Sequence, residues 1–247
     1  MKIQTETVDL TTPTGVMRTY IYRPQDAGIY PAILYYSEIF QQTAPIARSA
    51  AIMAGHGFVV LVPEVFHELN PIGTVMDYDD KGKDKGNQDK FTKALEAHDS
   101  DTQTMIDWLQ EQTFCTGQVG AMGVCIGGHL AFRAALNPAI KAASCLYATD
   151  IHSNTLPSEA GNDSLTRCSD IKGELLMIWG KQDPHVPDEG RALIQQTLQT
   201  QGVHFSWHEF NAAHAFMRDE GLDRYDPELA LQVYAMSVDL FRRQLKQ

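Results

Sequence analysis

The sequence lacks the features that mark several large classes of protein. No apolar run approaches the ~18 residues that a membrane-spanning helix needs. The four cysteines show neither CxxC nor any other metal-binding spacing, so free thiols in the cytoplasm are expected. With 20 basic against 31 acidic residues the formal net charge is −11, which makes nucleic acid and anionic membranes poor partners. The N-terminal Met1–Glu6 also lacks the apolar core of a secretory signal.

What the chain does contain is a regular alternation of strand-like and helix-like segments. Continuous apolar runs such as Pro31–Tyr36 and Phe58–Val62 are typical of strands that are buried on both faces. Amphipathic stretches such as Asp188–Gln201 separate such runs. This alternation predicts an α/β fold with a mostly parallel central sheet and helices on both of its faces. At 247 residues, we expect one domain over residues 1–247.

Three segments refine this outline. Ile3–Leu10 and Val16–Tyr22 are predicted to pair as an antiparallel hairpin at the sheet edge. Residues 64–97 break the alternation, and their glycines, prolines and charges predict a segment without regular secondary structure, either a lid or a solvated surface excursion. The next helix is expected to begin near His98, with Asp99 or Ser100 as its N-cap. Farther along, residues 149–170 are expected to form a polar connection.

The middle of the chain carries the pattern of a nucleophile elbow. The apolar run Val119–Val124 stops at a cysteine, Cys125, and a helix-like segment, His129–Leu136, follows closely. Gly123 and Gly127 lie two residues on either side and would let strand and helix approach each other. A buried, inert thiol is the alternative, since cysteine is often buried. The glycines and the strand–turn–helix pattern favour a catalytic nucleophile.

Two further residues complete a candidate triad. Asp183 and His214 each follow directly after a predicted strand, where the loops of a doubly wound sheet form its binding site. The order Cys125, Asp183, His214 is that of α/β hydrolases and differs from the chymotrypsin-like and subtilisin-like orders. We expect His214, oriented by Asp183, to take the thiol proton and later to activate water against a thioester. The backbone amides of Ile126 and of the region around Ile39 should bind the oxyanion.

This chemistry requires no cofactor. A zinc site would need three or four converging ligands, and the histidines and cysteines show no such set, so no metal is expected either.

Four segments together resemble the dienelactone hydrolase (carboxymethylenebutenolidase) family of α/β hydrolases; they are Ser37–Phe40, Gly123–Gly128, Gly180–Pro184 and His214–Phe216. The resemblance implies that Glu38 holds the thiol proton in the resting enzyme until substrate displaces it. It also implies that Arg218 binds a substrate carboxylate. The family's second arginine has no counterpart in residues 64–97, where only lysines are available, so that bidentate carboxylate recognition is weakened or rebuilt.

The sequence therefore predicts a cytoplasmic hydrolase that opens a lactone or cleaves a small activated carboxylic ester, anionic substrates included, through a thioester on Cys125. A thioesterase or a general carboxylesterase would use the same triad. A non-catalytic ligand-binding hydrolase fold, or a redox sensor based on Cys125, belongs to a different class. The complete set of Asp183 and His214 argues against both of these, because neither role needs a triad. We expect a monomer or a small homo-oligomer.

Overall fold

An eight-stranded sheet forms the centre of the protein in the computed structural model, which describes residues 1–157, 163–221 and 223–246. Its strands are β1 (Ile3–Thr12), β2 (Gly15–Pro24), β3 (Tyr30–Tyr36), β4 (Val59–Pro63), β5 (Cys115–Val124), β6 (Ile140–Leu146), β7 (Glu174–Gly180) and β8 (Phe205–Phe210). The spatial order is β1-β2-β4-β3-β5-β6-β7-β8. β2 is antiparallel to both of its neighbours, and the pairs from β4 to β8 are parallel.

Helices cover both faces of this sheet; they are α1 (Ala44–Gly55), α2 (Asp80–Thr92), α3 (Leu95–Gln110), α4 (Ile126–Ala134), α5 (Asp188–Thr200) and α6 (Pro227–Gln244). Alternate residues of β3 point into two separate cores, as the pleat of a strand requires. Ala32 and Leu34 join the core beneath α3, α4 and α5. Ile33 and Tyr35 join the opposite core beneath α1 and α6. The predicted α/β fold and the predicted hairpin of β1 with β2 are confirmed.

The segment 64–97, called the excursion below, was expected to lack regular structure, and this expectation is wrong because the excursion contains α2. Its glycines are contact points rather than helix breakers. A Cβ on Gly82 would lie 2.1 Å from the carbonyl oxygen of Asp77. A Cβ on Gly86 would lie 2.5 Å from the carbonyl oxygen of Ile39. Glycine therefore lets α2 pack directly on the turn that follows β3.

The helix α3 begins at Leu95 rather than near His98, so the predicted N-caps are wrong as well. Leu95 is buried and adds one more turn to the buried face of the helix. Asp99 instead accepts a hydrogen bond from Nε of Arg133 at 2.7 Å. The hydroxyl of Ser100 donates to a carbonyl within the same helix.

The polar connection predicted over residues 149–170 lies partly outside the described residues, and its described part ends in a 3₁₀ turn, Cys168–Asp170. Among the described helices, none combines the length and the apolar character that crossing a membrane would require.

Candidate active site

Cys125 occupies the sharp turn between β5 and α4. Its φ of 58° lies in the left-handed region, which non-glycine residues seldom adopt. The turn is possible because Gly123 has no side chain. A Cβ at this position would lie 1.9 Å from the carbonyl oxygen of Gly127. The backbone N–H of Cys125 donates to the carbonyl of Leu146 at 3.1 Å. Strand, turn and helix thus present a half-buried thiol at the carboxyl end of the sheet.

The carboxylate of Asp183 and the imidazole of His214 meet at the same edge. Asp183 follows β7 and His214 follows β8, so both side chains come from loops at the carboxyl ends of neighbouring strands. Nδ1 of His214 donates to Oδ2 of Asp183 at 2.6 Å. The other carboxylate oxygen of Asp183 accepts the backbone N–H of His185 at 2.8 Å. Both oxygens are therefore engaged, and the carboxylate fixes the orientation of the imidazole ring.

The electrostatics of His214 depend on Cys125. Burial disfavours the imidazolium, but the charge of the neighbouring Cys125 and the hydrogen bonds from His214 to Asp183 and to Cys125 outweigh it. Together they raise the pKa of His214 to about 10. The rings of Tyr147 and His185 pack edge-on against the imidazole, with centroids at 5.3 and 4.6 Å. Asp183 and these two rings together fix the imidazole of His214 in its position.

The two segments expected to bind an oxyanion are neighbours. Ile126 is the first residue of α4, and Ile39 lies in the turn after β3. A Cβ on Gly127 would lie 2.2 Å from the carbonyl oxygen of Tyr36, so the start of α4 and the end of β3 are in close contact. Within the described residues, neither the Ile126 amide nor the Ile39 amide donates to another protein group. N–H groups at the start of a helix have no partner within that helix.

Glu38 pairs with Arg218 rather than with Cys125. The buried Glu38 carboxylate lies 3.3 Å (Oε2) and 3.5 Å (Oε1) from Nη1 of Arg218. Its shortest contact comes from Tyr78, whose hydroxyl donates to Oε1 at 2.7 Å. The hydrogen bonds between described residues include none that joins Glu38 to Cys125. The side chain of Arg218 is only 10% exposed, and its guanidinium lies 4.1 Å above the ring of Tyr78.

Two residues of the excursion reach this region through contacts that the sequence did not indicate; Tyr78 was expected to pack or to line an apolar pocket, and Lys90 was one of several available lysines. Tyr78 stands among charged residues without periodicity, and nothing in the sequence links it to Glu38. Lys90 donates to Oδ2 of Asp150 at 3.1 Å. Burial and the charge of His214 lower the pKa of His185, while the charge of Asp183 opposes them and the charge of Lys90 makes a smaller lowering contribution. Charge composition alone could not separate Lys90 from the other lysines of the excursion.

A separate group of charges joins the two ends of the excursion to α3. His67, Glu68 and Asp101 bring their ligand atoms within 4.8 Å of one another, as a metal site would. The ammonium of Lys93 occupies the same cluster, at 2.7 Å from Glu68 and 2.6 Å from Asp101. Because a buried cation already balances both carboxylates, this group is an ion-pair cluster.

The order of the sheet and the strand–turn–helix at Cys125 define an α/β hydrolase. Within that class, the chain belongs to the dienelactone hydrolase family, whose model matches residues 17–245. Both the predicted fold class and the predicted family are thereby confirmed.

Two relatives and one solved structure illustrate the match. The chain is 39% identical to a Saccharomyces cerevisiae protein named "Putative carboxymethylenebutenolidase", over 96% of this chain and 91% of that protein. It is 26% identical to the carboxymethylenebutenolidase of Pseudomonas putida, over 76% of this chain and 75% of that protein. The "Crystal Structure of Putative Dienelactone Hydrolase from Klebsiella pneumoniae subsp. pneumoniae MGH 78578" aligns with a TM-score of 0.87 at 19% identity, covering 98% of this chain and 100% of that one.

Proposed function

We propose that this chain hydrolyses a lactone or a small activated carboxylic ester, with Cys125 as nucleophile, His214 as general base and Asp183 as the group that orients the histidine. The observation that carries the proposal is the 2.6 Å hydrogen bond that Nδ1 of His214 donates to Asp183, together with a cysteine held in a left-handed turn. An inert buried thiol would need neither the strained turn nor an oriented imidazole.

In the first half-reaction, the Cys125 thiolate attacks the carbonyl carbon and forms a C–S bond. The carbonyl oxygen becomes an oxyanion, which the amides of Ile126 and Ile39 bind in our proposal. The ester C–O bond then breaks, and the imidazolium of His214 gives its proton to the leaving alkoxide. A thioester remains on Cys125, and a lactone stays attached to it as the ring-opened hydroxy acyl group.

In the second half-reaction, neutral His214 takes a proton from water while the water oxygen attacks the thioester. The C–S bond breaks, the acid leaves, and the thiolate returns beside an imidazolium. The change of His214 from acid to base depends on Cys125, because the charge of Cys125 helps to raise the pKa of His214. Acylation removes that charge while burial still disfavours the imidazolium, so the pKa of His214 falls when a base is needed.

We propose that Arg218 binds a carboxylate of anionic substrates. Its buried Nε has no partner among the described residues, and its pairing with Glu38 is long. A small cavity lined by Glu38, Val124, Tyr147 and Arg218 adjoins the strand that ends at the elbow. A guanidinium with unused donors in such a cavity suits a second carboxylate.

Glu38 is proposed to control the thiol through its charge and its capacity to accept a proton. A carboxylate near Cys125 disfavours the thiolate and offers the thiol proton an alternative acceptor. In the observed arrangement Arg218 and Tyr78 hold that carboxylate, and in our proposal His214 is the partner of the Cys125 thiol. A substrate carboxylate that binds Arg218 would compete with the Glu38 carboxylate for the guanidinium.

The test is Cys125→Ala, with Cys115→Ala as the matched control because Cys115 is also a half-buried free thiol. With a chromogenic short-chain ester and a lactone, kcat should fall by about a thousandfold or more in Cys125→Ala, since covalent catalysis supplies at least that much. Cys115→Ala should retain wild-type activity. A Cys125→Ala enzyme with more than about a tenth of wild-type kcat would eliminate the nucleophile assignment. Faster turnover of acyl thioesters than of any ester or lactone would favour the thioesterase alternative.

A further inference from the structure

We propose that Tyr78 is a positioning residue of this site, which holds Glu38 through its hydroxyl and Arg218 through its ring. In this arrangement the Glu38 carboxylate is kept away from the Cys125 thiol, and His214 is left as the partner of that thiol. The inference rests on the proposed function, because it concerns the reactivity of Cys125 as a nucleophile.

The hydroxyl of Tyr78 takes part in two short hydrogen bonds. It donates to Oε1 of Glu38 at 2.7 Å, and its oxygen lies 2.7 Å from the hydroxyl of Thr43. A carboxylate can only accept, so the single proton of Tyr78 goes to Glu38 and Thr43 donates to Tyr78. Burial and the charge of Glu38 raise the pKa of Tyr78, so the hydroxyl remains a donor over the working range of pH.

The ring of Tyr78 holds the other partner of Glu38. The guanidinium carbon of Arg218 lies 4.1 Å from the centroid of this ring, which is a close cation–π contact. The ring also packs edge-on against Phe40, with centroids 4.7 Å apart. Arg218 itself reaches Glu38 only at 3.3 and 3.5 Å. The bond from Tyr78 is therefore the shortest restraint on the Glu38 carboxylate.

The backbone around Tyr78 is attached to the turn that carries Glu38. The N–H of Met76 donates to the carbonyl of Phe40 at 3.1 Å. The side-chain amide of Gln41 donates to the carbonyl of Thr74, also at 3.1 Å. These bonds fix the excursion against the turn after β3, so that the position of Tyr78 relative to Glu38 is set by backbone as well as side-chain contacts.

Loss of the hydroxyl would leave Glu38 held only by the longer contact with Arg218. The carboxylate could then turn towards Cys125 and accept a hydrogen bond from its thiol, in competition with His214, while the proton stays on the sulfur. A thiol that shares its proton with Glu38 contains less thiolate at neutral pH and reacts more slowly with electrophiles. Tyr78 therefore acts on Cys125 through Glu38, without touching the substrate.

Tyr78→Phe tests this idea, because it removes the hydroxyl and keeps the ring beneath Arg218. Labelling of Cys125 by iodoacetamide, followed by mass spectrometry from pH 6 to 10, should be about tenfold slower at neutral pH and approach the wild-type rate at high pH. We expect kcat for a neutral ester to fall by a similar factor, with KM changed less than about twofold. Tyr20→Phe is the matched control, since it removes a tyrosine–glutamate bond of 3.0 Å, to Glu64, outside this site.

A double variant identifies the route of the effect. In a Glu38→Gln background the labelling rate should exceed that of the wild type, and the addition of Tyr78→Phe should then change nothing. Thr43→Val, which removes only the donor to Tyr78, should slow labelling in the same direction by a smaller factor. Wild-type labelling in Tyr78→Phe, or an equal slowing with and without Glu38, would overturn the proposal. A fully active Cys125→Ala enzyme would instead remove the proposed function itself.

Discussion

Two buried groups of charges flank the excursion, and they differ in how completely they are paired. The Lys93 cluster contains Lys93, Glu68, Asp101 and His67, and its lysine side chain is fully buried with contacts of 2.6 and 2.7 Å. In the Arg218 cluster, made of Arg218, Glu38 and Tyr78, the guanidinium contacts are 3.3 and 3.5 Å. Nε of Arg218 is also buried without a partner among the described residues.

We propose that the difference separates a structural role for the Lys93 cluster from a binding role for the Arg218 cluster. Each buried charge carries a desolvation cost that only close pairing offsets. In the Lys93 cluster, one ammonium bridges two carboxylates and connects the excursion to α3. In the Arg218 cluster the contacts are longer and Nε has no partner among the described residues, which would suit the substrate carboxylate of our proposal. Mutation of the Lys93 cluster should therefore lower stability, whereas mutation of the Arg218 cluster should impair substrate recognition.

Lys93→Met should give the larger of the two effects and should act on stability. Removing the ammonium leaves the carboxylates of Glu68 and Asp101 with only His67 as a partner within this cluster. Breaking a buried ion pair in this way costs about 3–5 kcal/mol of the free energy of unfolding. For a chain of this size the melting temperature should fall by roughly 6–20 °C. Thermal unfolding of Lys93→Met would measure it, with Lys81→Met as the control, because Lys81 is an exposed lysine of α2, the helix that ends just before Lys93.

The activity of the same variant sharpens the comparison. Measured well below its melting temperature, Lys93→Met should keep kcat within about tenfold of the wild type, because Lys93 contacts none of the proposed triad. An unchanged melting temperature would mean that the Lys93 cluster does not have a structural role. A loss of kcat as large as that of Cys125→Ala would mean that its role is not confined to structure.

Arg218→Ala should give a smaller effect, on recognition. If Arg218 binds a substrate carboxylate, KM for anionic esters should rise by about tenfold to a hundredfold, as expected for hydrogen bonds between charged groups. Neutral esters should be affected much less. Arg48→Ala is the control, because Arg48 supports the same loop through the exposed Asp219. Equal losses for charged and neutral substrates would show that Arg218 only supports the loop of His214.

Much of the fold could be predicted, because it follows from local periodicity. Buried strands appear as continuous apolar runs, and each candidate catalytic residue lies in the loop after a predicted strand, although the strand before His214 alternates between apolar and polar residues. For this reason Cys125, Asp183 and His214 could be selected before the structure was known, and the structure brings Asp183 and His214 into contact at 2.6 Å. Their roles in catalysis remain predictions that the experiments above test.

The excursion could not be predicted, because its structure depends on contacts across the fold. Gly82 and Gly86 look like helix breakers in the sequence, whereas their missing side chains allow α2 to approach Asp77 and Ile39. The link between Tyr78 and Glu38 joins residues that are 40 positions apart. No periodic pattern records a hydrogen bond of that kind.

The thioester on Cys125 is the central claim, and its direct detection is the decisive measurement. A slow ester substrate should be mixed with the enzyme and with Cys125→Ala, quenched in acid within one turnover, and followed by intact and peptide mass spectrometry. The account predicts a mass increase of one acyl group, located on the Cys125 peptide, released by hydroxylamine and absent in Cys125→Ala. An acyl group on another residue, or rapid product release with no adduct under conditions that make deacylation rate-limiting, would contradict it.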